Sequence, residues 1–447
     1  NLFTVTYGYR DGANGSSSAM IQSLSNNGRS TSYLYYDDGN IRQIQTPWTT
    51  QTFEYDDIGQ LIRVNDDDTG FTTVYSYDAG GNMTSERVYA YTTAAVPTTE
   101  LLSQRTFTYD AEWKDQMLTC GGKALTYDGV GNLLSYDGVT FNWTRGRRLS
   151  GVTKADGTKV AYTYNHSGQR VSKTIGGVKH TYFYSGNLLM CEKASGLDMR
   201  FSYNSVGNPV SILYNNVEYY YVKNLQGHII GLIDAAGTWV VEYSYDVWGN
   251  IRSVFGTMAS TLGQDNPIRY RGYYYDTETK LYYVSSRYYS PELCRFISSD
   301  DVEPFVKFHE NSVQYNLYAY CWNNPVNMFD RDGEWPEWVK KAVAVVAVAA
   351  VVVAATVVTV ATFGAGSIAG VAAITATATF AARATEVAVL QARKSRAEGL
   401  DTKKIATNVA EAIYDNGAPI IGKTPGTKMI SIGVHHGLNV QIEEIFG

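Results

Sequence analysis

The sequence predicts a mainly β protein: a long antiparallel sheet of β-hairpins that coils, followed by an apolar helical segment and a small α+β tail. Three observations carry this expectation. One short unit recurs through residues 1–262, aromatic residues inside it alternate at period two ahead of a turn signal, and the composition shifts abruptly after residue 334.

The unit appears as FEYDDIGQLIRV from Phe53, YSYDAGGNMTSE from Tyr75, LTYDGVGNLLSY from Leu125, YTYNHSGQRVSK from Tyr162, FSYNSVGNPVSI from Phe201 and YSYDVWGNIRSV from Tyr243. Its common form is aromatic-x-Tyr-Asp/Asn-x-x-Gly-x-apolar. Residues two apart on a strand project from the same face, so Tyr75 and Tyr77, or Tyr243 and Tyr245, form one side of an extended segment. Asp78 or Asp246 then takes the first position of a four-residue turn, where its carboxylate can accept backbone N–H bonds. The glycine three residues later tolerates the left-handed conformation that ends the turn. Each unit is therefore a hairpin. A lone hairpin is only marginally stable in water, so the units are expected to pair laterally into one sheet. Cross-strand aromatic pairs would hold it together and sheet twist would make it coil. The turn aspartates are expected to be local hydrogen-bond acceptors and the paired tyrosines sheet packing.

Bulk composition excludes several classes. The 447 residues include 36 Tyr against 15 Phe, with a formal net charge of -6, which argues against electrostatic nucleic-acid binding by the sheet region. Cys120, Cys191, Cys294 and Cys321 form no CxxC pair, so neither a zinc site nor a disulfide framework is indicated, and no cofactor is expected. No Ser-His-Asp, phosphate-loop or metal-ligand pattern stands out. The opening NLFTVTYGYRDG lacks a charged segment followed by an apolar run and begins in mid-pattern, so the chain is expected to be part of a longer polypeptide.

The stretch PIRYRGYYYDTETKLYYVSSRYYSPELCRFISSD, from Pro267 to Asp300, is followed by NLYAYCWNNPVNMF from Asn316 to Phe329. With YYYVKNLQGHIIGLID at 219–234 and the upstream units, it resembles the YD-repeat (RHS) proteins, and residues 263–333 resemble their RHS-associated core. The resemblance implies a bacterial toxin or toxin carrier in which a spiral β-sheet shell encloses a variable C-terminal effector. It also implies an intramolecular aspartate protease that releases the C-terminal piece. The matching residues are Asp300, Asp330 and Arg287. Two neighbouring carboxylates can divide the roles of acid and base, and an arginine can orient the scissile carbonyl. In this chain the residues after the two aspartates are Asp301 and Arg331, where the family carries proline.

After GEWPEWVKK, residues 342–382 are 41 positions without a charge, rich in Ala, Val and Thr. A bilayer core takes about 20 apolar residues per crossing, so this stretch could hold two short crossings around FGAGSIAG. Trp335, Trp338, Lys340 and Lys341 resemble an interfacial belt. Sequestration inside the shell, or conditional membrane insertion, is favoured over a constitutive anchor. A helix is expected from Asp401 to Gly417, and TKMISIGV and LNVQIEEIF read as strands. His435 and His436 lie between them; adjacent positions on a strand face opposite ways, which does not suit joint metal binding.

The expected organisation is thus a repeat sheet over 1–262, the core signature over 263–333, an apolar helical hairpin over 334–392 and a variable region over 393–447. Two function classes follow: the C-terminal portion of a secreted or cell-surface polymorphic toxin used in interbacterial competition, or a structural surface protein with a membrane-associating tail. Its own effector segment is the first partner, an immunity protein a second candidate, and membrane contact through 342–382 a third.

Overall fold

The computed structural model describes residues 3–11, 17–300, 316–330 and 333. By its contacts the chain divides into two units, Asn1–Asp301 with Ser312–Trp335, and Val302–Asn311 with Pro336–Gly447. All described residues belong to the first. The expected apolar hairpin at 334–392, the membrane stretch 342–382 and the helix and strands of 393–447 lie outside them. Among the described residues no helix is long and apolar enough to cross a membrane.

A single sheet of 24 strands runs from Val5–Asp11 to Ile251–Phe255. Each strand pairs antiparallel with its sequence neighbours, as in Phe53–Val64 within one hairpin and Val64–Thr73 between hairpins. The turn chemistry follows the expectation. Asp78 Oδ1 accepts the N–H groups of Gly80 at 2.8 Å and Asn82 at 2.9 Å, and Gly81 closes the turn at φ 76°. Asp246 does the same for Trp248 and Asn250, both at 2.9 Å.

At each turn the ladder slips by one residue: Tyr55 faces Leu61, and Tyr77 faces Met83. The bulge leaves a main-chain carbonyl in need of a donor. The tyrosine of the next hairpin supplies it. Tyr77 donates its hydroxyl to Leu61 O at 2.8 Å, Tyr109 to Met83 O at 2.8 Å, Tyr203 to Leu189 O at 2.7 Å and Tyr245 to Ile229 O at 2.8 Å. Trp143 Nε1 takes the same place on Leu133 O at 2.7 Å. The repeated tyrosine is thus a tie between successive hairpins. Its aromatic partner two residues earlier (Phe53, Tyr75, Phe107, Tyr162, Phe201 or Tyr243) is buried in the core. The residue between the two carries a second device, a hydroxyl pair across the hairpin: Thr163 with Ser172 at 2.6 Å, Ser202 with Ser211 at 2.6 Å and Ser244 with Ser253 at 2.5 Å.

The coiling returns late strands to early ones. Arg29 forms an ion pair with Glu242 at 2.8 Å and lies 4.1 Å from the Trp239 ring centre, and Arg252 pairs with Asp66 at 2.5 Å. Among the described residues the first and last strands do not pair, so the sheet coils without closing.

A second sheet follows, with strands Tyr274–Asp276, Leu281–Val284, Arg287–Ser290 and Arg295–Phe296. It and residues 316–330 sit against the Asp-x-x-Gly turns. Tyr282 donates to Gly249 O at 2.8 Å, Tyr289 to Trp248 O at 2.7 Å and Tyr318 to Gly131 O at 2.8 Å. Asn323 Nδ2 reaches Gln60 Oε1 at 2.8 Å and Gly81 O at 2.6 Å. Alternate turns of an antiparallel meander lie at the same end, so this segment caps one end of the coiled sheet. The tyrosine-rich stretch serves that purpose: the rings of Tyr270, Tyr273, Tyr274, Tyr282, Tyr288 and Tyr289 are buried, and the hydroxyls of Tyr270, Tyr282 and Tyr289 donate to carbonyls of the turns.

One buried charge cluster fastens cap to wall. On the wall strand Arg170–Ile175, the Arg170 guanidinium pairs with Asp276 of the cap, and Lys173 Nζ reaches Asp276 Oδ1 and Glu278 Oε2, each at 3.0 Å. The rings of Tyr162, Tyr182, Tyr274, Tyr283 and Tyr288 surround Arg170, the closest, Tyr274, at 4.5 Å. Burial acts to raise the Asp276 pKa, but Arg170 and Lys173 together hold it below the usual carboxylate range.

Candidate autoproteolytic site

Arg287 begins a cap strand. Leu281–Val284 turns back through Ser285, at φ 52°, and Val284 pairs directly with Arg287. This tight reversal directs the Arg287 side chain across Phe296, whose ring centre lies 3.6 Å from the guanidinium carbon. The aromatic face supports the cation and fixes its plane.

The guanidinium is only 6% exposed and contacts four groups. Nη1 donates to Leu317 O at 3.0 Å, Nη2 lies 2.9 Å from Asp300 Oδ2 and 3.9 Å from Asp330 Oδ2, and Nε donates to Gly333 O. Asp300 is tied to the same region by its N–H, which donates to Leu317 O at 2.9 Å. Asp330 Oδ1 accepts Gly333 N–H at 2.9 Å. The three residues singled out in the sequence therefore meet at one point, although residue 287 lies well before 330 in the chain. The same guanidinium meets the carbonyl of Gly333 through Nε.

Gly333 has φ 78°, and a Cβ there would lie 2.5 Å from Val284 O and 2.6 Å from Ser286 Oγ. Glycine is needed both for the left-handed backbone and for this close approach. Chemically, a buried cation directed at one peptide carbonyl, with two carboxylates beside it, combines an electrophile with groups able to move protons. Among the described residues no cluster of His, Cys, Asp and Glu could hold a metal ion.

Residues 50–326 match the Teneurin YD-shell family model, covering most of the sheet and the cap. The chain belongs to the YD-shell family. Among curated relatives of this YD shell, the tRNA3(Ser)-specific nuclease WapA of Bacillus spizizenii is 33% identical over 287 residues, 63% of this chain and 12% of the relative. Teneurin-4 of Mus musculus is 26% identical over 294 residues, 62% of this chain and 10% of the relative. Of solved structures, the crystal structure of TcdB2-TccC3-Cdc42 matches with a TM-score of 0.56 at 21% identity, over 74% of this chain and 18% of that one. The last likeness shows the fold alone. The chain thus spans about an eighth or less of the curated relatives' length.

Reading the sequence missed the Arg170–Asp276 cluster and the amide residues after each turn glycine. Asn82 donates from Nδ2 to Asp78 Oδ2 at 3.0 Å, and its Oδ1 accepts from Asn316 Nδ2 of the cap at 2.8 Å. A signal was present: Gln or Asn follows the glycine in all six quoted units.

Proposed function

We propose that this YD shell is the carrier portion of a polymorphic toxin, and that it cuts its own chain after Gly333 so that residues beyond it become a separate effector. The observation that carries the reading is the contact of Arg287 Nε with Gly333 O while Asp300 and Asp330 both lie within 4 Å of Nη2. In the proposed step one carboxylate accepts a proton from water, and the water oxygen attacks the Gly333 carbonyl carbon. Arg287 stabilises the negative charge that develops on the carbonyl oxygen. The other carboxyl group donates its proton to the departing nitrogen of Glu334. Two neighbouring carboxyl groups can divide the roles of acid and base in this way. The Asp330 carboxylate accepts the Gly333 N–H at 2.9 Å, a contact that supports the reading in a chain without proline after Asp330.

Resemblance to a WapA nuclease supports a toxin assignment, with an enclosed effector in 334–447, an immunity protein as partner and a secreted or cell-surface location. The proposed boundaries are those of the sequence analysis: repeat sheet to 262, cap to 333, apolar segment to 392 and variable region beyond. The second reading is a cell-surface structural protein with a membrane-associating tail and no toxin activity, whose chain stays whole; the similarity to Teneurin-4 supports it. Intact-mass measurement of the purified chain separates them. Self-cleavage gives two masses summing to 49.4 kDa plus one water, and Asp330→Asn gives one uncut species of unchanged fold. A single species at 49.4 kDa for the unmodified chain overturns the cleavage reading.

A further inference from the structure

Resting on that cleavage reading, we propose that Tyr273 is the positioning residue of the site: its one hydroxyl clamps both main-chain polar groups of Asp330 and so sets where the Asp330 carboxylate and Gly333 stand relative to Arg287. Tyr273 OH accepts the Asp330 N–H at 3.1 Å and donates to the Asp330 carbonyl. Holding the N–H and C=O of one residue fixes the peptide planes on both sides of it. The Asp330 side chain has only two rotatable bonds from there, so its Oδ1 falls on Gly333 N–H and its Oδ2 near Arg287. Arg331, next in the chain, has no proline ring to fix its φ, so the contact from Tyr273 supplies a restraint that the sequence at that position does not.

The clamp is itself held. Tyr320 OH lies 3.1 Å from Tyr273 OH, and the Tyr273 ring packs edge-on against Tyr320 at 6.4 Å and Tyr282 at 6.3 Å between centres. Tyr273 is buried in the cap. Burial, together with the neighbouring Cys321 and Asp330, pushes its pKa well above the usual phenol value, so the hydroxyl retains the proton it donates. Tyr273 does not touch the Gly333 carbonyl and takes no proton in the reaction; it acts through Asp330.

The test compares Tyr273→Phe with Tyr203→Phe, which removes a different, half-buried hydroxyl bond, that to Leu189 O on the wall. Two readouts are taken on each full-length protein: the first-order rate of self-cleavage across pH, and deuterium uptake by peptides spanning residues 326–333. The expected result is a cleavage rate lowered about tenfold or more in Tyr273→Phe, a displaced pH profile because the carboxylates no longer hold their spacing, and faster exchange at 330–333. Tyr203→Phe should change none of these. Unchanged exchange at 330–333 in Tyr273→Phe overturns the clamp, and so does a cleavage rate equal to that of Tyr203→Phe. An uncut unmodified chain whose exchange nonetheless rises in Tyr273→Phe supports the clamp and overturns the cleavage reading, so the two failures are distinguishable.

Discussion

Replacing Arg170 by methionine should loosen the cap from the wall. The guanidinium is 1% exposed and the Asp276 side chain 0%, and each is the other's principal partner. Methionine fills similar apolar volume among the five tyrosine rings but leaves the Asp276 carboxylate with Lys173, itself shared with Glu278, and a long bond from the Tyr162 hydroxyl at 3.4 Å. Removing one member of a buried ion pair costs about 3–5 kcal/mol, because the remaining charge stays buried without full compensation. With an unfolding entropy of about 2.1 cal/mol/K per residue over roughly 300 residues, that corresponds to a fall in Tm of about 5–8 °C. Scanning calorimetry or thermal unfolding followed by tryptophan emission measures it, since Trp248 is buried where cap meets wall. The double variant Arg170→Met/Asp276→Asn removes the stranded charge and should recover at least 1 kcal/mol of the summed single losses. The Asp276 contribution also has a pH signature. Its folded pKa is depressed, so the stabilisation is present above the ordinary carboxylate value of about 3.9 and disappears only as pH falls through the lower folded value. A loss below 1 °C in Arg170→Met, or a double variant equal to the sum of the two singles, would refute the reasoning.

Two further outcomes follow from local geometry. Gly333→Ala places a Cβ against Val284 O and Ser286 Oγ and strains a backbone at φ 78°, so self-cleavage measured by intact mass should stop while the Tm of the shell moves by less than about 2 °C. His228 stacks on Tyr270 at 4.3 Å and accepts the Arg271 N–H at Nδ1, and burial together with Arg271 pushes its pKa well below the ordinary imidazole range. The imidazole is neutral in the folded chain. Below pH of about 6.5 the unfolded chain gains a proton that the folded one refuses, so stability should fall by up to about 1.4 kcal/mol per pH unit until the folded value is reached. His228→Asn keeps an acceptor and should flatten this dependence in thermal unfolding between pH 5 and 7.

The hairpins were legible in the sequence because their determinants are local. An aspartate accepting N–H groups two and four residues on, a glycine at positive φ and rings two apart are relations within a few positions, set by backbone geometry and independent of the rest of the chain. The sequence therefore determined the units, their antiparallel pairing and the face that carries the rings. Arg287, Asp300 and Asp330 were legible only through resemblance; no spacing rule connects them. Tertiary structure decided what each tyrosine hydroxyl bonds, since Tyr77 finds its acceptor at Leu61 of the preceding hairpin and Tyr282 at Gly249 of the wall. It also decided that Arg170 meets Asp276, 106 residues away, that Tyr273 holds Asp330, and that Arg287 Nε faces the carbonyl of Gly333 rather than another. These contacts depend on how far the sheet has turned by the time the cap is reached. That angle accumulates from the small twist of every strand pair, so no single residue or short motif encodes it.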